Sequence, residues 1–229
     1  MTFSIVARCA ETGQFGMAIS SSSPAVAARC AFARAGVGAA ASQNITNPGL
    51  GDLMLDLLAS GLSAPEAVAE AVRQDRFPEY RQLLCVDAQG KTATWSGQNA
   101  LGIWGAAEGN GVAAGGNLLA DAAIPAAMVN TFEMTTGHLG NRLMAAMQAA
   151  LALGGEVGPV HSAGLLIVGV HPWPLAELRC DWEEGDPIAH ITRAWDIYKP
   201  QMAAYQTRAL DPRAAPAYGV PGEIGAGEK

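Results

Sequence analysis

The stretch MTFSIVARCAETGQFGMAIS, residues 1–20, decides the fold that we predict for this chain. Residues 2–8 favour a β-strand, the Glu-Thr-Gly sequence at 11–13 favours a turn, and residues 15–22 favour a second strand. Two such runs joined by a short turn predict a β-hairpin. Chain ends usually fray, so a chain that starts on a strand indicates a fold that holds its first residues in place.

Strand pairs and helix pairs alternate along the rest of the chain. The sequence predicts further strands at 37–43, 81–86, 92–96, 103–107, 111–114, 162–170 and 175–182. It predicts helices at 47–60, 63–73, 121–135, 139–153 and from 187 to about 208, and it leaves 24–35 ambiguous. Strands joined by hairpin turns are antiparallel. Helices in pairs, rather than singly between strands, disfavour a doubly wound parallel sheet.

The most apolar strand indicates how these elements are layered. Residues 163–168, AGLLIV, are apolar on both strand faces, as in a sheet that is covered on both sides. We therefore predict an α+β fold, a four-layer αββα sandwich in which two antiparallel sheets stack between outer helix pairs. Residues 1–210 are expected to form a single domain, and the Pro-, Gly- and Ala-rich tail 211–229 to wrap the surface or a neighbouring subunit.

Composition excludes several classes of function. Of the 229 residues, 50% are hydrophobic and 15% are charged, which is typical of a globular protein with a sizeable core. A net charge of −7 without a basic run disfavours nucleic acid as a partner. Apolar runs are too short to span a bilayer, and residues 1–10 lack the pattern of a secretory signal, so we expect no membrane partner and a cytoplasmic location.

Four cysteines are scattered along the chain without CxxC spacing. They are Cys9, Cys30, Cys85 and Cys180. In a reducing compartment such residues are most often buried thiols. Because no Cys or His pair has ligand spacing and no glycine-rich motif has the context of a phosphate site, we expect no metal and no cofactor.

Thr2 is the first candidate for chemistry, because Met1 is usually removed when the next residue is small. No residue precedes Met1 in the sequence, so we expect loss of Met1 rather than cleavage of a propeptide. Thr2 then carries a hydroxyl and an α-amine with a pKa of about 8, which accepts a proton near neutral pH. A terminal threonine and its own amine form a recognised pair of nucleophile and base. The alternative is an ordinary edge strand whose hydroxyl has no role.

Polar residues near strand ends are candidates to assist Thr2. Asn117 follows two glycines, which let backbone approach a ligand closely, and we rank it as the best donor to an oxyanion or substrate. An ordinary turn is the alternative. The second strand ends in four serines close to the start of the first strand. We expect Ser20 and Ser22, which share a face, to reach Thr2, with polar filler at a strand end as the alternative.

Five further residues are candidates to bind substrate. Gln43 and Asn44 begin a loop, where site residues are common, although they also suit capping of the next helix. Glu156 and His161 flank the start of the strand at 162–170: the carboxylate suits the terminal ammonium, and the imidazole suits substrate binding, proton transfer or a purely structural role. Arg34 is a candidate to bind a substrate carboxylate, unless it is merely solvated.

Five segments of the chain resemble the DUF1028 family. They are TFSIVA (2–7), ETGQFGMAISSSS (11–23), ARAGVGAAASQNITNPGLG (33–51), GGNLLA (115–120) and GGEVGPVHSAGLLIV (154–168). DUF1028 proteins are bacterial and archaeal and are assigned to the N-terminal-nucleophile (Ntn) hydrolase-like superfamily. The resemblance extends from Thr2 to about Tyr198 and implies the αββα layering that periodicity predicts independently.

The resemblance also implies a reaction. The superfamily hydrolyses amide or related C–N bonds with a terminal Thr, Ser or Cys, and motif position makes Thr2 that residue, with Ser4 on the same strand face as the reserve. The chain departs from the family where many members carry an Arg and a Gln before the Ser-Ala strand. Here those positions hold Gly158 or Pro159, and His161. A role for that Arg is therefore not expected in this chain.

Two hypotheses about function follow. The first is a hydrolase of a small amide, a cyclic amide or a related C–N bond, with Thr2 as nucleophile and a small molecule as substrate. The second is a non-catalytic binding or assembly protein on the same fold, since one fold hosts many functions. The Ala- and Gly-rich composition and the tail favour a homo-oligomer under either hypothesis.

Overall fold

The structure, a computed structural model, describes residues 1–219. The strands are β1 (Thr2–Arg8), β2 (Phe15–Ser21), β3 (Ala31–Arg34), β4 (Gly38–Asn44), β5 (Arg81–Asp87), β6 (Thr92–Ser96), β7 (Gly105–Gly109), β8 (Val112–Asn117), β9 (Ser162–Val168) and β10 (Pro174–Cys180). The helices are α1 (Val26–Cys30), α2 (Gly49–Ala59), α3 (Ala64–Gln74), α4 (Ile124–Met134), α5 (Leu139–Ala152), α6 (Pro187–Tyr198) and α7 (Met202–Leu210), with 3-10 turns at Pro78–Tyr80 and Lys199–Gln201.

These strands form two antiparallel sheets. One sheet has the order β10-β9-β2-β1-β8-β7, and the other has the order β3-β4-β5-β6. The sheets stack face to face. Helices α4, α5 and α6 cover the outer face of the six-stranded sheet, and α2 and α3 cover the outer face of the four-stranded sheet. The predicted αββα sandwich of two antiparallel sheets is confirmed.

Three apolar layers hold the four layers of secondary structure together. Between the sheets, Val6 and Met17 meet Leu84 and Val86. Behind the six-stranded sheet, Phe3 and its neighbours pack against α4, α5 and α6. A third cluster joins β4, β5 and β6 to α2 and α3. Because a strand alternates its side chains between two faces, β1 contributes Phe3 to the helix side and Val6 to the space between the sheets.

The ends of two predicted helices are confirmed in detail. Ser63 and Glu66 form a capping box, in which the main-chain N–H of Ser63 donates to Glu66 Oε2 at 2.8 Å. At α6, Asp186 Oδ1 accepts hydrogen bonds from the main-chain N–H groups of Ile188 and Ala189, both at 2.9 Å. These contacts satisfy N–H groups that have no partner within the first helical turn.

The structure differs from the prediction in three places. The ambiguous segment 24–35 forms the short helix α1, which wedges between the sheets, and the edge strand β3. The last helix is two helices, because Pro200 lacks an N–H and the chain tightens into a 3-10 turn there. Strand β8 continues to Asn117, through two glycines that a strand normally disfavours.

Packing explains Gly116 of β8, whereas a Cβ on Gly115 would make only ordinary contacts. A Cβ on Gly115 would lie 3.4 Å from Leu84 of the facing sheet, and one on Gly116 would lie 2.6 Å from Leu119. The second distance is shorter than real Cβ contacts allow. Gly116 is therefore required for Leu119 to pack against the strand.

The four cysteines are free and buried, as predicted. Within residues 1–219, no group of three or more His, Cys, Asp or Glu side chains is arranged to hold a metal ion. The same residues contain no helix with the length and apolar character that crossing a bilayer requires.

The part of the predicted tail that the structure describes, 211–219, lies back along α7. The Arg208 guanidinium lies 3.7 Å from the centre of the Tyr218 ring, and Nη2 of Arg208 donates to the Pro216 carbonyl oxygen at 2.9 Å. The rest of that predicted segment, 220–229, lies outside the described residues.

The layer between the sheets is expected to carry much of the stability. Replacement of the fully buried Leu84 by Ala leaves a cavity between two rigid sheets, so we expect a loss of about 2–5 kcal/mol in the free energy of unfolding. Urea denaturation measures the change. The control is Leu210→Ala at an exposed position of α7, for which we expect little effect. Equal effects of the two substitutions would contradict this account of the core.

Candidate active site

The space between the sheets turns from apolar to polar at one edge of the sandwich. The side chains that face this edge are Thr2, Ser4, Ser21, Gln43, Gln82 and Asn117, all of them buried. They come from β1, β2, β4, β5 and β8, so both sheets contribute. Burying this many polar groups costs free energy unless each finds a partner. This edge is therefore the candidate functional site.

Gln82 is the centre of a hydrogen-bonded network at this edge. Its Nε2 donates to the carbonyl oxygens of Gly105, at 3.2 Å, and Gly116, at 3.0 Å. Its Oε1 accepts from Nε2 of Gln43 at 2.8 Å and from Nδ2 of Asn117 at 3.2 Å. Carbonyl oxygens only accept, so the Gln82 nitrogen must face Gly105 and Gly116, and the orientation of both neighbouring amides follows.

The orientation of the network leaves one acceptor unused. Oδ1 of Asn117 is buried and has no hydrogen-bond partner. Thr2 is the partner of Asn117 in the β1–β8 register, so this oxygen lies beside the first strand residue. An unpaired buried acceptor is costly and needs an explanation. The oxygen of Asn117 is free to accept from an N–H group. That Asn117 donates to an oxyanion or substrate stays a prediction.

Thr2 lies among hydroxyl groups. The β1–β2 register pairs Phe3 with Ser20, which puts Thr2 opposite Ser21 on the face between the sheets. Oγ1 of Thr2 is 3.4 Å from Oγ of Ser21, and both hydroxyls donate to the carbonyl oxygen of Met1. Thr2 itself is only 5% exposed.

The prediction that Ser20 and Ser22 reach Thr2 is wrong, because the register places Ser21 there. Ser20 lies on the helix side of its strand, and its hydroxyl donates to the carbonyl oxygen of Ser162 at 3.0 Å. Ser22 points elsewhere, and its main-chain N–H donates to the Glu156 carboxylate at 3.1 Å. The pairing of the whole β1–β2 hairpin fixes this register, and the run of four serines by itself does not reveal which serine faces Thr2.

A chain of hydrogen bonds leads from Ser21 to a cation. Oγ of Ser21 is 2.9 Å from Oγ of Ser23 and also accepts from the Ser23 N–H at 3.1 Å. Nη2 of Arg29 donates to Oγ of Ser23 at 3.0 Å and to the Pro24 carbonyl oxygen at 2.8 Å. The single hydrogen of the Ser21 hydroxyl is thereby free to point at the Met1 carbonyl oxygen.

The turn that carries these serines is tied to the neighbouring strand. Ser162 Oγ donates to the Ser23 carbonyl oxygen at 2.6 Å and accepts from the Val26 N–H at 3.2 Å. Ala25 is held at φ +52°, in the left-handed region that a residue with a side chain seldom adopts. Within residues 1–219, the other non-glycine residues with positive φ are Asn44, the last residue of β4, and Leu118, which follows the end of β8. Such strain is typical of functional sites.

Glu156 is a buried carboxylate near the chain terminus. It is 2% exposed, and its two oxygens accept from the Ser22 N–H at 3.1 and 3.2 Å. Burial raises the pKa of Glu156 to about 7, although the terminal ammonium of Met1, the hydrogen bonds from Ser22 and the His161 ring act in the opposite direction. The carboxylate is therefore close enough to the terminus to attract its charge, and near neutral pH it exists in both protonation states.

His161 lies between the strand start and an exposed loop. Its Nδ1 is 2.9 Å from the Glu183 carbonyl oxygen, and its ring stacks on Trp182 at 4.3 Å between centroids. Its main-chain N–H donates to the Ser21 carbonyl oxygen at 2.9 Å. These contacts fix the ring beside the site and engage one of its two nitrogens.

Three other predicted site residues have structural partners. Ser4 is fully buried, and its hydroxyl donates to Gln43 Oε1 at 2.6 Å, which places both inside the network rather than in open space. Asn44 joins two loops: its Nδ2 donates to the Tyr80 carbonyl oxygen at 2.6 Å, and its Oδ1 accepts from the Leu101 N–H at 3.2 Å.

Arg34 is not part of the site. It forms an exposed ion pair with Asp56 at 2.8 Å, and it pairs with Gly38 at the end of β4 opposite to Asn44. The antiparallel register of β3 and β4 places Arg34 at the opposite end of β4 from Gln43 and Asn44. That Arg34 binds a substrate carboxylate stays a prediction.

Sequence reasoning missed Ser21, Ser23, Arg29 and Gln82. Register was the available signal for Ser21, since pairing Arg8 with Phe15 also pairs Thr2 with Ser21. Gln82 gave a second signal, because it is a polar residue directly before the apolar run LLCV of β5.

The fold and site define an αββα-sandwich protein with a threonine, two serines and a buried carboxylate gathered at the first residues of β1. The family described as "Family of unknown function (DUF1028)" matches residues 2–191, and the chain belongs to it. The resemblance stated from the sequence motifs is thereby confirmed for the family. No curated protein sequence matches this chain.

One solved structure supports the same assignment. The crystal structure of protein SPO2555 from Silicibacter pomeroyi, a DUF1028 protein, is 29% identical, covers 86% of this chain and 89% of its own, and has a TM-score of 0.81. Anbu (ancestral beta-subunit) from Yersinia bercovieri is 12% identical over 89% of this chain and 97% of its own, with a TM-score of 0.39. A similarity that low supports no conclusion about this chain.

The raised pKa of Glu156 predicts a pH-dependent stability. The folded protein holds this proton more tightly than the unfolded chain, so the free energy of unfolding falls as pH rises from about 4.5 to about 7. Glu156→Gln keeps an acceptor for the Ser22 N–H and carries no charge. We expect this variant to exceed the wild type in stability at pH 8 by roughly 1–3 kcal/mol, and by much less at pH 4.

Urea unfolding at the two pH values measures this difference. The matched control is Glu177→Gln at an exposed position of β10, for which we expect no pH-dependent gain. A Glu156→Gln variant that is less stable than the wild type at pH 8 would show that the charged carboxylate is stabilised there.

Proposed function

We propose that this protein is an N-terminal-nucleophile hydrolase that cleaves a small amide, a cyclic amide or a related C–N bond. Thr2 is the nucleophile once Met1 has been removed. One observation carries the proposal: the hydroxyls of Thr2 and Ser21 both donate hydrogen bonds to the carbonyl oxygen of Met1. That carbonyl stands in for the acyl group of a substrate, held where Thr2 attacks and Ser21 donates.

The reaction follows from the groups at the terminus. The neutral α-amine of Thr2 takes the proton from Oγ1, and Oγ1 bonds to the substrate carbonyl carbon. The C–N bond then breaks, the leaving nitrogen takes the proton from the Thr2 ammonium, and an ester to Oγ1 is left. Water, deprotonated by the same amine, hydrolyses the ester and restores Thr2.

Ser21 is the proposed donor to the oxyanion that forms during attack. Its hydroxyl is polarised by the hydrogen bond from Ser23, which in turn receives one from the Arg29 guanidinium. Charge-assisted chains of this kind strengthen the terminal hydrogen bond. The donor is fixed before the reaction starts, which is the condition for effective stabilisation of a developing charge.

Asn117 and Glu156 are the proposed partners of the Thr2 amine. The free Oδ1 of Asn117 offers an acceptor beside Thr2, and the Glu156 carboxylate offers a negative charge near the terminus. Both interactions hold the amine in one place. His161 neighbours Glu156 and is the proposed contact for the polar end of a substrate.

The competing function is a non-catalytic binding or assembly protein. A homo-oligomer and a cytoplasmic location stay predictions under both hypotheses. The two functions differ in what they require of Thr2, since only the hydrolase needs a free amine and a hydroxyl on that residue.

Substitution of Thr2 tests the proposal directly. Intact mass spectrometry should show a chain without Met1, and turnover is sought in a panel of small amides, lactams and ureido compounds. We expect Thr2→Ala to abolish turnover and Thr2→Ser to retain part of it, because serine keeps a hydroxyl beside the amine. The control is Thr12→Ala in the exposed β1–β2 turn. Retained Met1 in an active preparation, or full activity of Thr2→Ala, refutes the mechanism.

Substitution of Ser21 tests the oxyanion donor. We expect Ser21→Ala to lower kcat by about 10- to 1,000-fold with a smaller change in KM, because the lost hydrogen bond is strongest in the transition state. Ser20→Ala is the matched control, since the neighbouring hydroxyl lies on the opposite strand face and donates to Ser162. Equal losses in both variants would indicate a structural rather than a catalytic effect.

A further inference from the structure

An apolar cavity of about 430 Å³ opens at the edge of the sandwich that holds the candidate site. It is lined by Ile45, Phe77, Tyr80, Arg81 and Leu101. The four uncharged side chains are between 40% and 46% exposed. Large apolar side chains gathered in a concave site are typical of ligand binding.

The cavity is joined to the candidate site through the backbone. Arg81 directly precedes Gln82, and Ile45 lies two residues after Gln43. The Leu101 carbonyl oxygen accepts from the Leu118 N–H at 2.8 Å, one residue beyond Asn117. The cavity therefore lies at the same end of the sheets as the buried network, with Arg81 on the opposite face of β5 from Gln82.

Asn44 fixes the two loops that form the mouth of the cavity. It bonds to the main chain of both Tyr80 and Leu101, at 2.6 and 3.2 Å, and it is held at φ +71°. Through these bonds the loops hold a fixed distance from each other. The cavity is thereby largely preformed, so a ligand that enters it loses less free energy in ordering the protein.

The only charged residue in the lining does not call for an anionic ligand. Nε of Arg81 donates to Asp75 at 2.7 Å, and its Nη1 donates to the Ile45 carbonyl oxygen at 2.6 Å. The Asp75 carboxylate balances the guanidinium charge, and both side chains are nearly buried. What the cavity offers a ligand is apolar and aromatic surface.

We propose that this cavity binds an uncharged aromatic substituent of the substrate. The inference rests on the proposed hydrolase function and adds a substrate class to it. Stacked sheets lie about 10 Å apart, so a group in the cavity of the four-stranded sheet is separated by several bonds from a carbonyl at Thr2. The substrate is therefore an amide whose aromatic ring is attached through a short flexible chain, such as an arylalkanoyl amide.

Binding to a protein that does not turn over substrate tests this inference separately from catalysis. Isothermal titration of Thr2→Ala compares 4-phenylbutyramide with butyramide, and hydrolysis of both is followed with the wild type. We expect the aromatic amide to bind at least about tenfold more tightly, because its ring is removed from water. Ile45→Ser and Phe77→Ser should remove most of this preference.

A matched variant controls for loss of an exposed apolar side chain. Ile197→Ser replaces a residue that is 69% exposed on α6, and it should leave the preference unchanged. An unchanged preference in Ile45→Ser and Phe77→Ser overturns the inference, as does equal binding of the two amides. If binding follows the cavity variants but no Thr2-dependent turnover is found, the substituent site stands and the hydrolase function fails.

The remaining occupant of such a cavity is a second copy of the chain. Sedimentation velocity of the wild type, Ile45→Ser and Ile197→Ser distinguishes that case. We expect the three proteins to sediment alike. Dissociation of an oligomer by Ile45→Ser alone shows that the cavity is an interface between copies, and it overturns the assignment to substrate.

Discussion

The side-chain amide of Gln82 is the interaction on which the site depends. Its nitrogen faces two carbonyl oxygens of the opposite sheet, so its oxygen must receive the amides of Gln43 and Asn117. Because the Gln82 amide is buried, hydrogen bonds to water do not compensate for a second orientation. If the amide were reversed, its oxygen would face the carbonyl oxygens of Gly105 and Gly116, and no hydrogen would lie between these acceptors. One side chain therefore fixes the distance between the sheets at this edge and the direction in which Asn117 presents its free oxygen to Thr2.

Around that network lie both uncharged hydroxyl groups and an ionisable carboxylate. Thr2 and Ser21 offer hydroxyls within a strand-pairing register, whereas Glu156 is a carboxylate that burial keeps close to half-protonated at neutral pH. The turn at Ala25 holds strained backbone beside them. Strand pairing determines the positions of Thr2 and Ser21, the Ser22 N–H holds Glu156, and Ser162 of β9 holds the turn. Together these supports fix small polar groups at the end of a strand.

The sequence predicted the layers well because strand and helix periods are local properties. The hairpin at 2–8 and 15–22, the capping box at Ser63 and the order of the helix pairs all follow from neighbours in sequence. The role of Gln82 did not follow, since Gln43 lies 39 residues away on the neighbouring strand and Asn117 lies 35 residues away in the other sheet. Ser20 was chosen over Ser21 because strand face depends on register, and a shift of one residue reverses it.

The carbonyl of residue 1 has a consequence for how the protein is prepared. Any segment fused ahead of Thr2 acylates its amine and leaves a peptide carbonyl in contact with the hydroxyls of Thr2 and Ser21. If Thr2 reacts as proposed, such a fusion protein folds and binds ligands in its apolar cavity but is inactive. Its Thr2 amine is acylated and cannot act as the base, and a peptide carbonyl occupies the place of the substrate carbonyl. An affinity tag at the C-terminus avoids this inhibition, as does an N-terminal tag that is cleaved off so that Thr2 becomes the first residue.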